Sequence, residues 1–136
     1  MGVTVLDTSV LIAVVDASDA HHVAARSMIQ TGRDAGDVFV VPVAAYAEFM
    51  VRASQGDAST ISFRDGLVDA IPARVEPATR DVGRQAAAIR ARHGQRIKLP
   101  DALIIATAAV VGADRIVTAD TRWPKQDVPV IVLGLD

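Results

Sequence analysis

Close to its start the chain carries an apolar run, Val3-Thr4-Val5-Leu6, that stops abruptly at an acid and two hydroxyls, Asp7-Thr8-Ser9. β-Branched residues dominate the run and no charge interrupts it, so it reads as a buried strand. Thr8-Ser9 leads directly into Val10-Leu11-Ile12-Ala13-Val14-Val15, a buried-helix pattern for which either hydroxyl is a suitable cap. A strand feeding straight into a helix is the opening of an α/β unit. In open parallel sheets, ligands sit outside the carboxyl ends of strands, where strand order reverses. Asp7 would occupy such an end.

The same alternation continues along the chain. Asp16 to Asp19 breaks the first helix, and Ser18 or Asp19 is expected to cap a second one running through Ile29, with Val23, Ala24, Met28 and Ile29 on its apolar side. His21 and His22 fall at its start; neighbours on a helix point about 100° apart, so they read as an exposed first turn and not as a metal pair. Val38 to Val41 is a second strand, stopped by Pro42, which suits the first turn of a helix reaching about Ser54. Glu48 lies in the middle of that otherwise apolar stretch. It is either an active-site carboxylate or the partner of Arg52 in an exposed i,i+4 ion pair.

A turn at Gln55-Gly56-Asp57 precedes a weaker amphipathic helix to Ile71, and Arg74 to Glu76 is a short edge strand between prolines. Thr79 caps a helix to about His93, with Gly94 as its stop. Arg80, Arg84, Arg90, Arg92, Arg96 and Lys98 cluster on that helix and its exit, as a solvated face or as a rim that contacts phosphates. Leu99 to Gly112 is apolar on every face and is therefore expected at the centre of the molecule. Asp101 opens it, where the helix dipole favours an acid. Arg115 to Thr118 is a strand that ends in Ala119-Asp120, repeating the opening pattern, and Val130 to Leu133 is the last strand. The expected fold is α/β, a central parallel sheet flanked by helices on both faces.

Composition narrows the chemistry. At 136 residues, 51% hydrophobic and 22% charged, residues 1–136 are expected to form one globular domain. The absence of cysteine removes disulfides, thiolate metal sites and a Cys nucleophile, leaving carboxylates or the three histidines for any metal. The net charge of −2 gives no global attraction to nucleic acid, so such contact would need a local basic patch. No basic segment precedes the first apolar run, and the longest uncharged run, Ala102 to Ala113, is too short for a bilayer. A cytoplasmic protein with no membrane contact is expected.

Asp7 and Asp120 follow strands, Asp101 opens a helix, and Glu48 belongs to the helix after the second strand. In a doubly wound sheet these positions share one face, so the four acids can converge. Crowded carboxylates repel one another, which raises at least one pKa. Hard divalent cations relieve the repulsion, and oxygen-only sites suit Mg²⁺ or Mn²⁺. Such a site activates water and neutralises charge on a phosphodiester.

The Asp7-Thr8-Ser9 start, the mid-helix Glu48, Leu99-Pro100-Asp101-Ala102 opening an Ala/Ile helix, and Thr118-Ala119-Asp120 resemble, in order, the four acidic stations of PIN domains, particularly the small VapC-type toxins. The resemblance covers nearly the whole chain. It implies an Mg²⁺-dependent endoribonuclease, with Mn²⁺ as a substitute, that is dimeric and neutralised by a cognate VapB-type antitoxin. Asp7, Glu48, Asp101 and Asp120 would be the metal-binding catalytic acids, supported by Thr8, Ser9 or Thr118, with Arg84, Arg90 and Arg92 contacting RNA. Ala119 stands where a basic residue is often found, and Trp123 where Phe is common. The alternatives are a phosphoryl-transfer enzyme using Asp7 as nucleophile, or a non-catalytic PIN-like module that binds RNA or protein. A dehalogenase-like phosphatase would carry a second acid where Ser9 stands.

Overall fold

The computed structural model describes residues 1–134; Leu135 and Asp136, the end of the expected unit, lie outside the described residues. The chain runs β1 (Val3–Leu6), α1 (Thr8–Val15), α2 (His22–Asp34), β2 (Val38–Pro42), α3 (Val43–Ser54), α4 (Ala58–Ala70), β3 (Ala73–Glu76) and α5 (Arg80–His93). A 3₁₀ turn (Gly94–Arg96) then leads to α6 (Leu99–Val110), β4 (Arg115–Thr118) and β5 (Val130–Val132). The five strands form one sheet in the order β3-β2-β1-β4-β5, and every pairing is parallel. Parallel crossovers are right-handed. Those running outward from β1 through β2 to β3 therefore carry α1 to α4 on one face, and the return to β4 carries α5 and α6 on the other.

The central strands owe their burial to both layers: Val5, Leu6, Val40, Val41 and Ile116 are fully enclosed, as are Leu11, Phe49 and Ile104 from the helices. Phe49 anchors α3 on this core, which leaves its neighbour Glu48 directed away from it. α6 is as central as its composition implies through Ala102 to Ala108, but its ends emerge, with Leu99 52% and Val110 36% exposed.

Two local expectations change. Asp7, not a hydroxyl, is the residue before α1, and its side chain makes no cap bond; Thr8 and Ser9 are already helical and their hydroxyls bond elsewhere. In α2 the buried positions are Ala25, Ile29 and Gly32, so the helix is rotated relative to the expected face and Val23 is 78% exposed. The cause is its start. Asp16 and Asp19 spend their carboxylates on the preceding turn, accepting from the backbone N–H of Ser18 and His21, and helix begins only at His22. That ring is half-buried, with Nδ1 2.7 Å from the Ala13 carbonyl, so His22 ties α2 to α1.

Gly32 is where α2 meets the sheet. A Cβ there would stand 2.6 Å from Cζ of Phe39, whereas one at Gly83 on α5 would meet nothing within 4 Å. Gly32→Ala is expected to destabilise the protein by ~1–3 kcal/mol through overpacking, and Gly83→Ala to stabilise it by ~0.5–1 kcal/mol through helix propensity. Urea unfolding of the pair checks this; equal stability would mean that Phe39 turns aside freely.

Candidate active site

β1 is flanked by β2 on one side and β4 on the other, and the crossover that leaves it for β2 and the one that returns to β4 run on opposite faces. The carboxyl ends of β1 and β4 thus bound the crevice where ligands bind in doubly wound sheets. Asp7 follows β1 directly, and its backbone N–H donates to the Val117 carbonyl at 3.0 Å, which holds it beside the end of β4. Its side chain is buried at 5% exposure. Oδ2 accepts from Ser9 Oγ at 2.8 Å and from Thr118 Oγ1 at 2.7 Å. Each hydroxyl also accepts from the β4 exit: Ser9 Oγ from the Ala119 N–H at 2.9 Å, and Thr118 Oγ1 from the Asp120 N–H at 3.0 Å. Ser9 and Thr118 therefore orient one oxygen of Asp7 and the backbone that presents Asp120. Thr8 does neither; its hydroxyl donates to the Ala45 carbonyl at 3.2 Å and moors α1 to α3.

Glu48, Asp101 and Asp120 line one open cleft of about 480 Å³ together with Gln95, Arg96, Lys98, Pro100, Arg122 and Trp123. Their electrostatics record the convergence. Burial and then the charges of Asp101 and Asp7 push the Glu48 carboxyl up. Burial and then Asp7 and Asp120 push Asp101 up as well. Asp7 is close enough for its charge to act on both. The indole N–H of Trp123 faces Asp101 and offsets part of that rise without a full hydrogen bond, since the buried Nε1 has no partner among the described residues. Asp120 moves the other way: hydrogen bonds from Arg122 hold its carboxyl below the usual range. Glu48 forms no ion pair with Arg52 among the described residues.

The basic residues that reach the cleft are Arg96, Lys98 and Arg122. Arg84 instead stands 3.8 Å from Asp81 on its own helix. Arg92 lines a separate hollow between α5, α6 and residues 126–128, and Arg90 is half-buried on α5; none of the three lines the acidic cleft. Arg122, Gln95 and the cleft-facing role of Trp123 escaped the sequence reading. Only the spacing of Asp120 and Arg122, two apart in a loop, hints at their pairing.

The donor set is entirely hard oxygen, which suits Mg²⁺ or Mn²⁺. Among the described residues no group of three or more acids or histidines is arranged to grip an ion by itself. Mg²⁺ keeps several of its waters and commonly takes only one or two protein carboxylates, so the donors fit a water-rich ion. An acidic floor below a cationic rim can hold such a cation and a phosphodiester at once.

The family model of the PIN domain matches residues 4–129. No curated protein matches the chain in sequence. Among solved structures, VapBC2 from Rickettsia felis bound to a DNA fragment from its promoter superposes with a TM-score of 0.77 at 12% identity, over 97% of this chain and 99% of that one. A toxin–antitoxin complex from Klebsiella pneumoniae gives 0.71 at 20% identity, over 95% and 96%. VapC20 of Mycobacterium tuberculosis, a sarcin–ricin loop cleaving toxin, gives 0.68 at 21% identity, over 83% and 86%.

Proposed function

Because this chain belongs to the PIN domain family, matched from residue 4 to residue 129, we propose that it is a metal-dependent endoribonuclease and the toxin of a VapBC-type pair. The observation that carries the reading is that Glu48, Asp101 and Asp120 line one cleft, with the charges of Asp101 and Asp7 acting on Glu48 and those of Asp7 and Asp120 acting on Asp101. Structural roles would not bring these carboxylates, from both layers of the sandwich, to one strand end. Asp7, Glu48, Asp101 and Asp120 are the residues that would hold Mg²⁺. When bound there, the ion would supply Lewis acidity, which lowers the pKa of water and neutralises charge on a phosphodiester. Ser9 and Thr118 hold Asp7 by Oδ2 and leave Oδ1 without a side-chain hydrogen bond among the described residues. Arg96 and Lys98 sit on the rim where the flanking phosphates of an RNA strand would run, and such contacts position the strand without reading its sequence.

The toxin–antitoxin complexes among the structural neighbours support a VapB-type antitoxin as partner, and the sarcin–ricin loop cleaving neighbour supports RNA as substrate. We extend the reading to a cytoplasmic homodimer. Among the described residues no helix is long and apolar enough to cross a membrane.

Incubation of total cellular RNA with the purified protein should produce discrete new ends in Mg²⁺ or Mn²⁺ and none in EDTA. Mapping those ends identifies the cut site. Equal cutting in chelator would refute the metal mechanism.

A further inference from the structure

Glu48 and Asp101 line the cleft with no side chain hydrogen-bonded to their carboxyl oxygens among the described residues, but Asp120 is engaged. Its Oδ1 accepts from the Arg122 backbone N–H at 2.8 Å and from Nε at 3.1 Å, and its Oδ2 accepts from Nη2 at 3.2 Å. The guanidinium thus grips both oxygens in the forked geometry that gives Arg–carboxylate pairs their direction. The two partners differ in freedom: the Arg122 side chain is 86% exposed and that of Asp120 only 22%. An arm so exposed is held weakly, and it lines the same cleft as Glu48 and Asp101.

We propose that Arg122 is a resident counterion of Asp120 which a divalent cation displaces, freeing the guanidinium to bind a phosphate of the RNA. The inference rests on the metal-dependent reading above. The oxygens engaged by the fork are those a cation would use, so the two compete. When the cation takes Asp120, the arm swings over solvent to the next negative group in reach, and a guanidinium matches a phosphate as well as a carboxylate. A single residue then serves Asp120 before the cation arrives and the substrate after it, acting as a positioning residue.

Calorimetry of Mn²⁺ binding to wild type, Arg122→Ala and Arg122→Lys separates this from a general charge effect. Both variants should bind Mn²⁺ more tightly, by about twofold to fivefold, the scale of one exposed ion pair, because Lys keeps the charge but loses the fork. In saturating Mn²⁺, Arg122→Ala should raise KM for a short RNA by roughly tenfold, as expected for one charge-assisted bond, and change kcat much less. A Lys variant identical to wild type, or equal Mn²⁺ affinities throughout, would overturn the displacement. An unchanged KM would overturn the transfer to phosphate. Absence of Mn²⁺ binding in all three proteins would remove the metal reading itself, a result distinct from equal but measurable affinities.

Discussion

Asp101→Asn is expected to reduce RNA cleavage by well over the ~10–100-fold typical of losing an outer-shell metal partner, while the protein stays folded and becomes slightly more stable in EDTA. Both halves follow from one environment. Burial and then the neighbouring charges of Asp7 and Asp120 raise the Asp101 carboxyl, so the folded protein holds that proton more tightly than the unfolded chain does. A carboxylate raised on folding contributes stability only while protonated. That contribution is lost as pH rises from the unfolded value, 3.8, through the folded one. Asn has no proton to lose. Its advantage over Asp should therefore grow as pH rises through that window and stay constant above it.

The gain should remain below ~1 kcal/mol, because the group is half-exposed to screening solvent. The dipole of α6 opposes it, favouring an acid in the first turn by ~0.3–1 kcal/mol. Urea unfolding of both proteins in EDTA at several pH values decides the sign. Saturating Mg²⁺ should reverse the order: at about 100 Kd it adds ~2.7 kcal/mol to the wild type and much less to the variant. A variant that is less stable at every pH, with no response to Mg²⁺, would return Asp101 to a purely structural role at the start of α6.

Thr118→Val should produce the second large effect. Thr118 is fully enclosed; its hydroxyl donates to Asp7 Oδ2 and accepts the Asp120 N–H. Valine matches its shape but leaves the part-buried Asp120 N–H without that acceptor and Asp7 with Ser9 as its remaining hydroxyl donor. The cost should be ~1–3 kcal/mol in stability and about 10–100-fold in cleavage. Thr118→Ser keeps the hydroxyl and loses one methyl, so it should recover most of the cleavage at a smaller stability cost. Equal cleavage by the Val and Ser variants would show that the hydroxyl does not organise the site.

The architecture was legible because its signals are local. Apolar runs punctuated by Pro, Gly and acids mark each strand and helix in turn, and the reversal of strand order around β1 places Asp7 and Asp120 together. Glu48 and Asp101 were harder, since an i,i+4 partner at Arg52 and a helix dipole each explain an acid equally well. Only the packing of Phe49 and the depth of the cleft separate these readings. The basic rim was least legible. Arg84, Arg90 and Arg92 lie on the same basic stretch as Arg96 and Lys98, yet α5 carries them elsewhere, and helical phase over a long element does not report which end approaches a distant loop. Arg122 lies in residues 119–129, a crossover without a helix, where no periodicity announces a direction.

The layered order of the sheet also sets when the cleft comes into being. Asp7 belongs to the first strand, Glu48 to a helix on one face, Asp101 to a helix on the other, and Asp120 to the exit of β4. No N-terminal portion that stops before Asp120 contains all four, and Asp7 is not fully oriented until Thr118 has docked beside it. During synthesis the acidic cleft therefore cannot be completed before β4 has emerged and docked on β1, when only β5 remains to be added. Until then the growing chain lacks the full set of acids, although most of the residues of its core have already been made.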